Sequence, residues 1–330
     1  MHTENLRRAF VAAGYNAEIA AVPFKWYPSD EIMKGALAWR LLDLTEANGK
    51  PIDMIVGMKF PAYLAKHPRK VLWIMHQYRT VYDLWQTPYD HISSLPEGES
   101  VRSFVKNADD RFIPEARKVF ANSQTVADRL KQYNNINSEP LYHPPPMADL
   151  LSGGEQGDYV FYPSRMEPPK RQELLIEAAS YMKSRLRIVF TGGGRNVEWY
   201  ESLIQKFDVA DRVEIRGFVD DKEIVDLYSN ALAICYLPFD EDYGYVTLEA
   251  MYSGKPVVVA ADSGGARESI DNRSEGLIVE PEPQAIAAAL DELYLNRDFA
   301  RRLGSNAREK ILSMDLTWQH VVEKLVSAAG

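Results

Sequence analysis

Cysteine and long apolar runs are scarce in this sequence. Its 330 residues include one cysteine, Cys235, which excludes a disulfide framework and any cysteine-rich zinc or iron–sulfur site. No apolar run approaches the roughly 18 residues that a membrane-spanning helix needs. The first residues also lack the apolar stretch of a secretory signal. Together these features predict a cytoplasmic location.

Basic charge is also in short supply, and it is unevenly spread. The chain holds 38 Lys and Arg against 47 Asp and Glu, for a net charge of −9. Residues 1–150 contain 18 basic against 17 acidic side chains, whereas residues 151–330 contain 20 against 30. An acidic half lacks the cations that displace counterions from nucleic-acid phosphates. We therefore expect no nucleic-acid partner, while the near-neutral first half permits peripheral contact with a membrane.

Length and chain punctuation indicate two α/β domains. Chains of this length commonly form two domains, and short apolar runs here alternate with helical patterns. Residues 141–147 contain three consecutive prolines and residues 152–157 are rich in glycine, which breaks regular structure. We predict a first domain over residues 1–150 and a second over residues 151–330.

The second half has the pattern of a complete Rossmann-like unit, with helices between its apolar runs. Strands are predicted at residues 159–163, 186–191, 213–216, 231–237, 256–260 and 276–279.

The first half begins with a predicted helix at residues 5–14, followed by a strand at 17–22 and a helix at 31–48. A doubly wound domain ordinarily begins with a strand. We therefore expect the first domain to lack an N-terminal strand and loop of roughly 15–30 residues.

Two carboxylates with fixed spacing follow the predicted strand at 231–237. Glu241 lies in the strand-to-helix loop, where Gly244 permits close backbone approach. Glu249 is predicted on the first turn of a helix that begins near Val246. Free N–H groups at a helix start bind anions, so the arrangement suits a diphosphate joined to hydroxyl-rich sugars. The alternative is that Glu241 is solvated and Glu249 only complements the helix dipole.

Two cations follow the first strand of the same half. Arg165 and Lys170 come directly after residues 159–163, and ligands of open α/β sheets bind outside the carboxyl ends of strands. Arg165 can form paired hydrogen bonds to phosphate oxygens, and Lys170 adds a point charge. Two fixed cations can neutralise a leaving diphosphate without a metal.

Together these motifs resemble the family 4 retaining glycosyltransferases of the GT-B fold, the glycosyl transferases group 1. The resemblance covers residues 155–300 and includes Tyr162-Pro-Ser-Arg-Met166 with Lys170, Val213-Glu-Ile-Arg-Gly-Phe-Val219, Glu241 to Glu249, and Ser263-Gly-Gly-Ala-Arg-Glu268. It implies two Rossmann-like domains that face each other across a cleft. It also implies that a terminal helix from about Trp318 packs back on the first domain.

The resemblance implies a role for particular residues. Arg165 and Lys170 match the pair that binds the donor diphosphate, and Glu241 matches the acid that contacts the donor hexose. Glu249 matches the acid that holds the ribose hydroxyls. The remaining donor-binding positions are backbone sites near the sugar or the nucleobase: Gly217, Phe218, Val219, Gly244, Tyr245, Val246 and Thr247. In the first domain, His76 matches a histidine near the donor sugar, and the predicted catalytic set is His76, Arg165, Lys170 and Glu241.

The implied reaction transfers a hexose from a UDP- or GDP-sugar to an acceptor hydroxyl with retention, in cell-surface polysaccharide or glycolipid assembly. The acceptor is expected to be a saccharide or a lipid-linked saccharide. No cofactor or metal is expected, although Asp240-Glu-Asp242 spells a metal-binding tripeptide found on another fold. Two alternatives stay open, namely a nucleotide-sugar epimerase of the same fold and an inactive sugar-nucleotide-binding protein.

Overall fold

The computed structural model describes residues 2–330 and divides into two compact units. The first contains the chain up to His143 together with Thr317–Gly330, and the second is Pro144–Leu316. The boundary between the two units lies just before the triple proline of residues 144–146. The terminal helix α11 (Trp318–Ala329) belongs to the first unit.

The first unit is built on a parallel sheet with helices on both faces. Its strands are adjacent in the order β3 (Ile55–Lys59), β4 (Lys70–His76), β5 (Lys118–Ala121) and β6 (Glu139–Pro140). Helices α2 (Asp30–Leu41), α3 (Gly98–Phe112) and α4 (Gln124–Asn134) cover one face, where Ile74, Val105 and Leu130 are buried. Helices α1 (His2–Ala12) and α11 cover the other, where Trp73, Phe10 and Leu325 are buried.

Two predictions for this unit were wrong. The strand expected at residues 17–22 does not form, and these residues are largely exposed. Among residues 2–330 no strand pairs with the outer edge of β3, and a strand without a paired neighbour has no ladder to stabilise it. Helix α2 ends at Leu41 rather than near residue 48, because a short hairpin follows. Its strands are β1 (Glu46–Ala47) and β2 (Lys50–Pro51), and Asn48 and Gly49 turn with positive φ values of 52° and 75°.

The second unit is a doubly wound parallel sheet. Its strands are β7 (Tyr159–Pro163), β8 (Arg187–Thr191), β9 (Val213–Ile215), β10 (Ala233–Tyr236), β11 (Val257–Ala260) and β12 (Gly276–Val279). The spatial order is β12-β11-β10-β7-β8-β9. The order reverses between β7 and β10, which pair through Val160 and Ala233. Such a reversal opens a crevice at the carboxyl ends of the two strands.

The helices of the second unit lie between its strands or after the last one, as expected for a Rossmann-like unit. They are α5 (Gln172–Tyr181), α6 (Val197–Lys206), α7 (Asp221–Asn230), α8 (Tyr245–Tyr252), α9 (Pro283–Leu295) and α10 (Arg297–Ser313). Within residues 2–330, none of the helices is both long enough and apolar enough to cross a bilayer.

Candidate functional site

The loops after β7 and β10 meet at the reversal point of the second sheet. The N–H group of Phe239 donates a hydrogen bond of 2.8 Å to the carbonyl of Pro169. The hydroxyl of Tyr162, a buried residue of β7, donates to the carbonyl of Lys170 and accepts a 3.1 Å bond from the N–H of Leu237. These contacts hold the segment with Lys170 beside the segment that leads to Glu241.

Lys170, Tyr236 and Glu241 form a closed polar triangle at this point. The Nζ of Lys170 forms an ion pair with Oε2 of Glu241 and donates a 3.1 Å hydrogen bond to the Tyr236 hydroxyl. That hydroxyl lies 3.1 Å from the same Glu241 oxygen. The side chains of Lys170 and Glu241 are 14% and 22% exposed. The structure thus joins two predicted site residues that are 71 positions apart, and it adds Tyr236.

Arg171, in the segment after β7, binds the backbone that follows β10 and a carboxylate that follows β11. Its guanidinium donates to the carbonyls of Leu237 and Pro238 at 2.8 and 3.0 Å, and to both carboxylate oxygens of Asp262 at 2.8 and 2.6 Å. Arg171 itself is buried and has a φ of 53°. Sequence reasoning did not identify this residue. The signal in the sequence that could have identified it is a charged residue directly after Lys170, in a strand-to-helix turn.

Arg165 is placed differently from Lys170. Its side chain is 69% exposed and pairs with Glu167 at 3.1 Å. The buried Gln172 amide fixes its backbone by donating a 2.7 Å bond to the Arg165 carbonyl. The structure therefore does not bring the two predicted phosphate-binding cations onto one partner. The Arg165 side chain is held only weakly, by its exposed ion pair with Glu167, whereas its backbone is fixed.

The segment around Glu241 lies against the loop after β11. The N–H of Gly265 donates a 2.7 Å bond to the Glu241 carbonyl, and the Glu241 N–H donates to Ser263 at 3.2 Å. Gly244 precedes α8 with a φ of 74°, and a Cβ there would lie 2.5 Å from the Cα of Ala266. Gly244 thus brings the start of α8 into backbone contact with this loop.

Glu249 lies deeper in its helix than predicted. Helix α8 begins at Tyr245, so Glu249 is its fifth residue and follows the first turn. The difference arises because the helix starts directly after Gly244, one residue before the predicted start near Val246. Glu249 is buried and accepts a 2.6 Å bond from the Tyr228 hydroxyl. Burial raises the pKa of its carboxyl, and the bond from Tyr228 opposes that shift.

Some of the predicted donor-binding positions near the start of α8 form hydrogen bonds or packing contacts within the protein. The N–H of Thr247 donates a 3.1 Å bond to the Gly244 carbonyl, and the Thr247 hydroxyl donates to the Ala266 carbonyl at 2.6 Å. Val246 and Thr247 are buried, and Tyr245 packs against the ring of Tyr243 at 5.3 Å.

The loop after β9 presents an aromatic ring to solvent. Phe218 is 86% exposed, and its ring lies so close to Gly193 that a Cβ on that glycine would be 2.4 Å away. The carbonyl of Gly217 accepts a 2.7 Å bond from the N–H of Gly192, and Val219 is half-buried. Gly217, Phe218 and Val219 thus lie beside the glycines that follow β8.

His76 lies at the end of β4 in the first unit and is half-buried. Its Nδ1 is 2.7 Å from the carbonyl of Gln77, and the Gln77 amide donates to Asn134. Among residues 2–330, no group of three or more His, Cys, Asp or Glu side chains is arranged to hold a metal ion.

Comparison with known proteins shows the class of the second unit. Residues 153–310 match the family described as Glycosyl transferases group 1. Over these residues the match confirms the resemblance read from the motifs around Lys170 and Glu241.

Curated relatives are similar over part of their own length. The D-inositol 3-phosphate glycosyltransferase of Nocardia farcinica is 26% identical over 283 residues, which are 74% of this chain and 62% of that protein. The human alpha-1,3/1,6-mannosyltransferase ALG2 is 27% identical over 224 residues, 58% of this chain and 53% of that protein. The matched part of this chain thus spans between about half and two thirds of these relatives.

Solved structures share the fold of this chain. Sucrose-phosphate synthase from Thermosynechococcus elongatus has a TM-score of 0.78 at 18% identity, covering 99% of this chain and 91% of that one. Anabaena Alr3699/HepE in complex with UDP-glucose has a TM-score of 0.64 at 20% identity, covering 90% and 75%. The likeness confirms the predicted GT-B class, with a Rossmann-like sheet in each unit.

Proposed function

We propose that this chain is a retaining glycosyltransferase that transfers a hexose from a nucleotide-diphosphate sugar to an acceptor hydroxyl. The observation that carries the proposal is the Lys170–Tyr236–Glu241 triangle at the reversal point of the second sheet. A partly exposed lysine there supplies positive charge for phosphate, and a carboxylate beside it supplies an acceptor for sugar hydroxyls.

The diphosphate is the leaving group in this scheme. Lys170 and the exposed Arg165 are the cations that stabilise its developing charge, helped by the N-terminus of α8. Glu241 binds hexose hydroxyls, Glu249 binds ribose hydroxyls, and residues 217–219 border the nucleobase. A role for His76 toward the donor sugar stays a prediction from the resemblance.

Retention follows from displacement on one face of the anomeric carbon. In the second unit, Glu241 is ion-paired with Lys170 and Glu249 is buried against Tyr228, which argues against either as a covalent nucleophile. The leaving phosphate then helps to deprotonate the acceptor hydroxyl, and this scheme assigns no step to a metal or another cofactor.

The donor and the acceptor are proposed from the relatives' names. Anabaena HepE binds UDP-glucose, and a Mycobacterium tuberculosis relative, 31% identical over 173 residues, is named a GDP-mannose-dependent phosphatidylinositol monomannoside mannosyltransferase. We propose a UDP- or GDP-hexose as donor and a saccharide or lipid-linked saccharide as acceptor, in polysaccharide or glycolipid assembly. We further propose that the protein acts in the cytoplasm, at the inner face of a membrane.

The test is calorimetric titration of the chain with UDP, GDP and their glucose and mannose conjugates. We expect one nucleotide family to bind, and Arg165→Ala to weaken binding by about tenfold, as for loss of one charged hydrogen bond. Arg273→Ala is the matched control, because Arg273 is also exposed and paired with a glutamate of the same unit. Equal affinity in both variants would contradict the role of Arg165.

Activity assays then separate transfer from the alternatives. Incubation of the donor with lipid extracts and oligosaccharides, read by NMR of the anomeric proton, should show a product with the donor's configuration. An inverted product would refute retention. Conversion of the donor sugar without acceptor would indicate an epimerase, and binding without any turnover would indicate an inactive binding protein.

A further inference from the structure

Tyr236 holds its hydroxyl at a fixed point of the second unit. It is the last residue of β10, whose side chains are all buried, and it is 3% exposed. Its ring packs edge-to-face against Tyr162, with centroids 5.8 Å apart. Because the ring has no room to move, the hydroxyl stays at the carboxyl end of the sheet.

The chemistry of the triangle assigns the Tyr236 proton. The Lys170 ammonium can only donate, and the Glu241 carboxylate can only accept. The hydroxyl therefore accepts from Lys170 and donates to Glu241, each at 3.1 Å. Burial, followed by the charge of Glu241, raises the pKa of Tyr236 well above its ordinary value, so the hydroxyl keeps the proton that it donates.

Donor binding breaks one side of this triangle. If the proposed function holds, Lys170 must turn from Glu241 to the donor diphosphate. The Glu241 side chain is 22% exposed, and removing the cation from a partly buried pair leaves a charge without its partner, which costs free energy. The donor hexose offers hydroxyl groups but no positive charge.

We propose that Tyr236 is a positioning residue that holds the Glu241 carboxylate in place when Lys170 changes partner. The inference rests on the proposed function. Without the hydroxyl, breaking the ion pair between Lys170 and Glu241 should cost more free energy. Loss of the hydroxyl should therefore weaken binding of the nucleotide part of the donor as well as its sugar.

The experiment is a double-mutant cycle measured by calorimetry with the nucleotide sugar that the wild-type chain binds. Tyr236→Phe should weaken binding by about tenfold, the usual loss for a hydrogen bond to a charged group. In a Lys170→Met background the same substitution should change affinity by less than about twofold, because no partner exchange remains. Tyr159→Phe is the matched control, since it removes a hydroxyl that bonds only a backbone carbonyl, that of Leu227, and it should leave affinity unchanged.

A second readout is calorimetric binding of the nucleoside diphosphate without its sugar. Tyr236→Phe should weaken this binding as well, because the diphosphate alone makes Lys170 leave Glu241. A residue that only oriented Glu241 toward the hexose would leave the affinity for the nucleoside diphosphate unchanged.

The outcomes separate the two proposals. Equal weakening by Tyr236→Phe in both backgrounds, or unchanged affinity for the nucleotide sugar and for the nucleoside diphosphate, would refute the role of Tyr236 while leaving donor binding intact. A wild-type chain that binds no nucleotide sugar would instead overturn the proposed function, and the inference with it.

Discussion

Replacement of Gly244 should show directly how the start of α8 is held in the site. Its φ of 74° lies in the left-handed region, where a side chain costs about 1–2 kcal/mol. In addition, a Cβ would lie 2.5 Å from the Cα of Ala266, so backbone must move. Overpacking of this kind costs about 1–3 kcal/mol. We therefore expect Gly244→Ala to lower the free energy of unfolding by about 2–5 kcal/mol.

Gly217→Ala provides the matched control for this prediction. Gly217 has a similar φ of 69°, but a Cβ there would meet nothing within 4 Å. It should show the conformational cost alone, about 1–2 kcal/mol. The measurement is urea unfolding of the full chain followed by circular dichroism, supported by a melting temperature lowered by about 5–15 °C in Gly244→Ala. If the two variants lose the same stability, contact between Gly244 and the Ala266 backbone does not hold the start of α8.

Two further predictions concern buried ionisable side chains, one in each unit. Arg171→Ala should destabilise the chain by about 2–4 kcal/mol, because Asp262 and two backbone carbonyls lose their hydrogen-bond donor. Arg171→Lys should not restore this stability, because lysine lacks the planar guanidinium group. Urea unfolding measures both variants, and full rescue by lysine would contradict the reasoning. Asp109 accepts hydrogen bonds from two tyrosines, and burial raises its pKa to about 7 from 3.8. The folded chain therefore keeps a proton that the unfolded chain has lost, so stability should fall as pH rises from about 4 to 7. Asp109→Asn should flatten that dependence, and an unchanged slope in this variant would contradict the assignment.

Burial also decided which charged side chains serve the structure rather than the site. Lys70 is 1% exposed, although lysine side chains are seldom fully buried. Its ammonium donates to the carbonyl of Phe112 at 2.8 Å and contacts Glu115 at 3.3 Å. Charge alone along a sequence cannot separate such a buried lysine from an exposed one, because its partners are 42 and 45 positions away.

The sequence by itself determined the α/β class, the strands and most helices of the second unit, and the resemblance to the group 1 glycosyltransferases. Strand periodicity, helix stops and the spacing from Glu241 to Glu249 are local properties, so they could be read from neighbouring residues. The strand expected at residues 17–22 could not be settled in this way, because a strand also needs a paired neighbour to complete its hydrogen bonds.

Only the tertiary structure decided how the site residues are paired. The reversal of strand order brings β7 next to β10, and Lys170 thereby contacts Glu241 and Tyr236 across the sheet. Tyr236 lies within an apolar strand and reads as a core residue, because its polar function resides in one hydroxyl group at the end of a buried ring. That role depends on which groups meet the hydroxyl in space, and the order of residues along the chain does not contain that information.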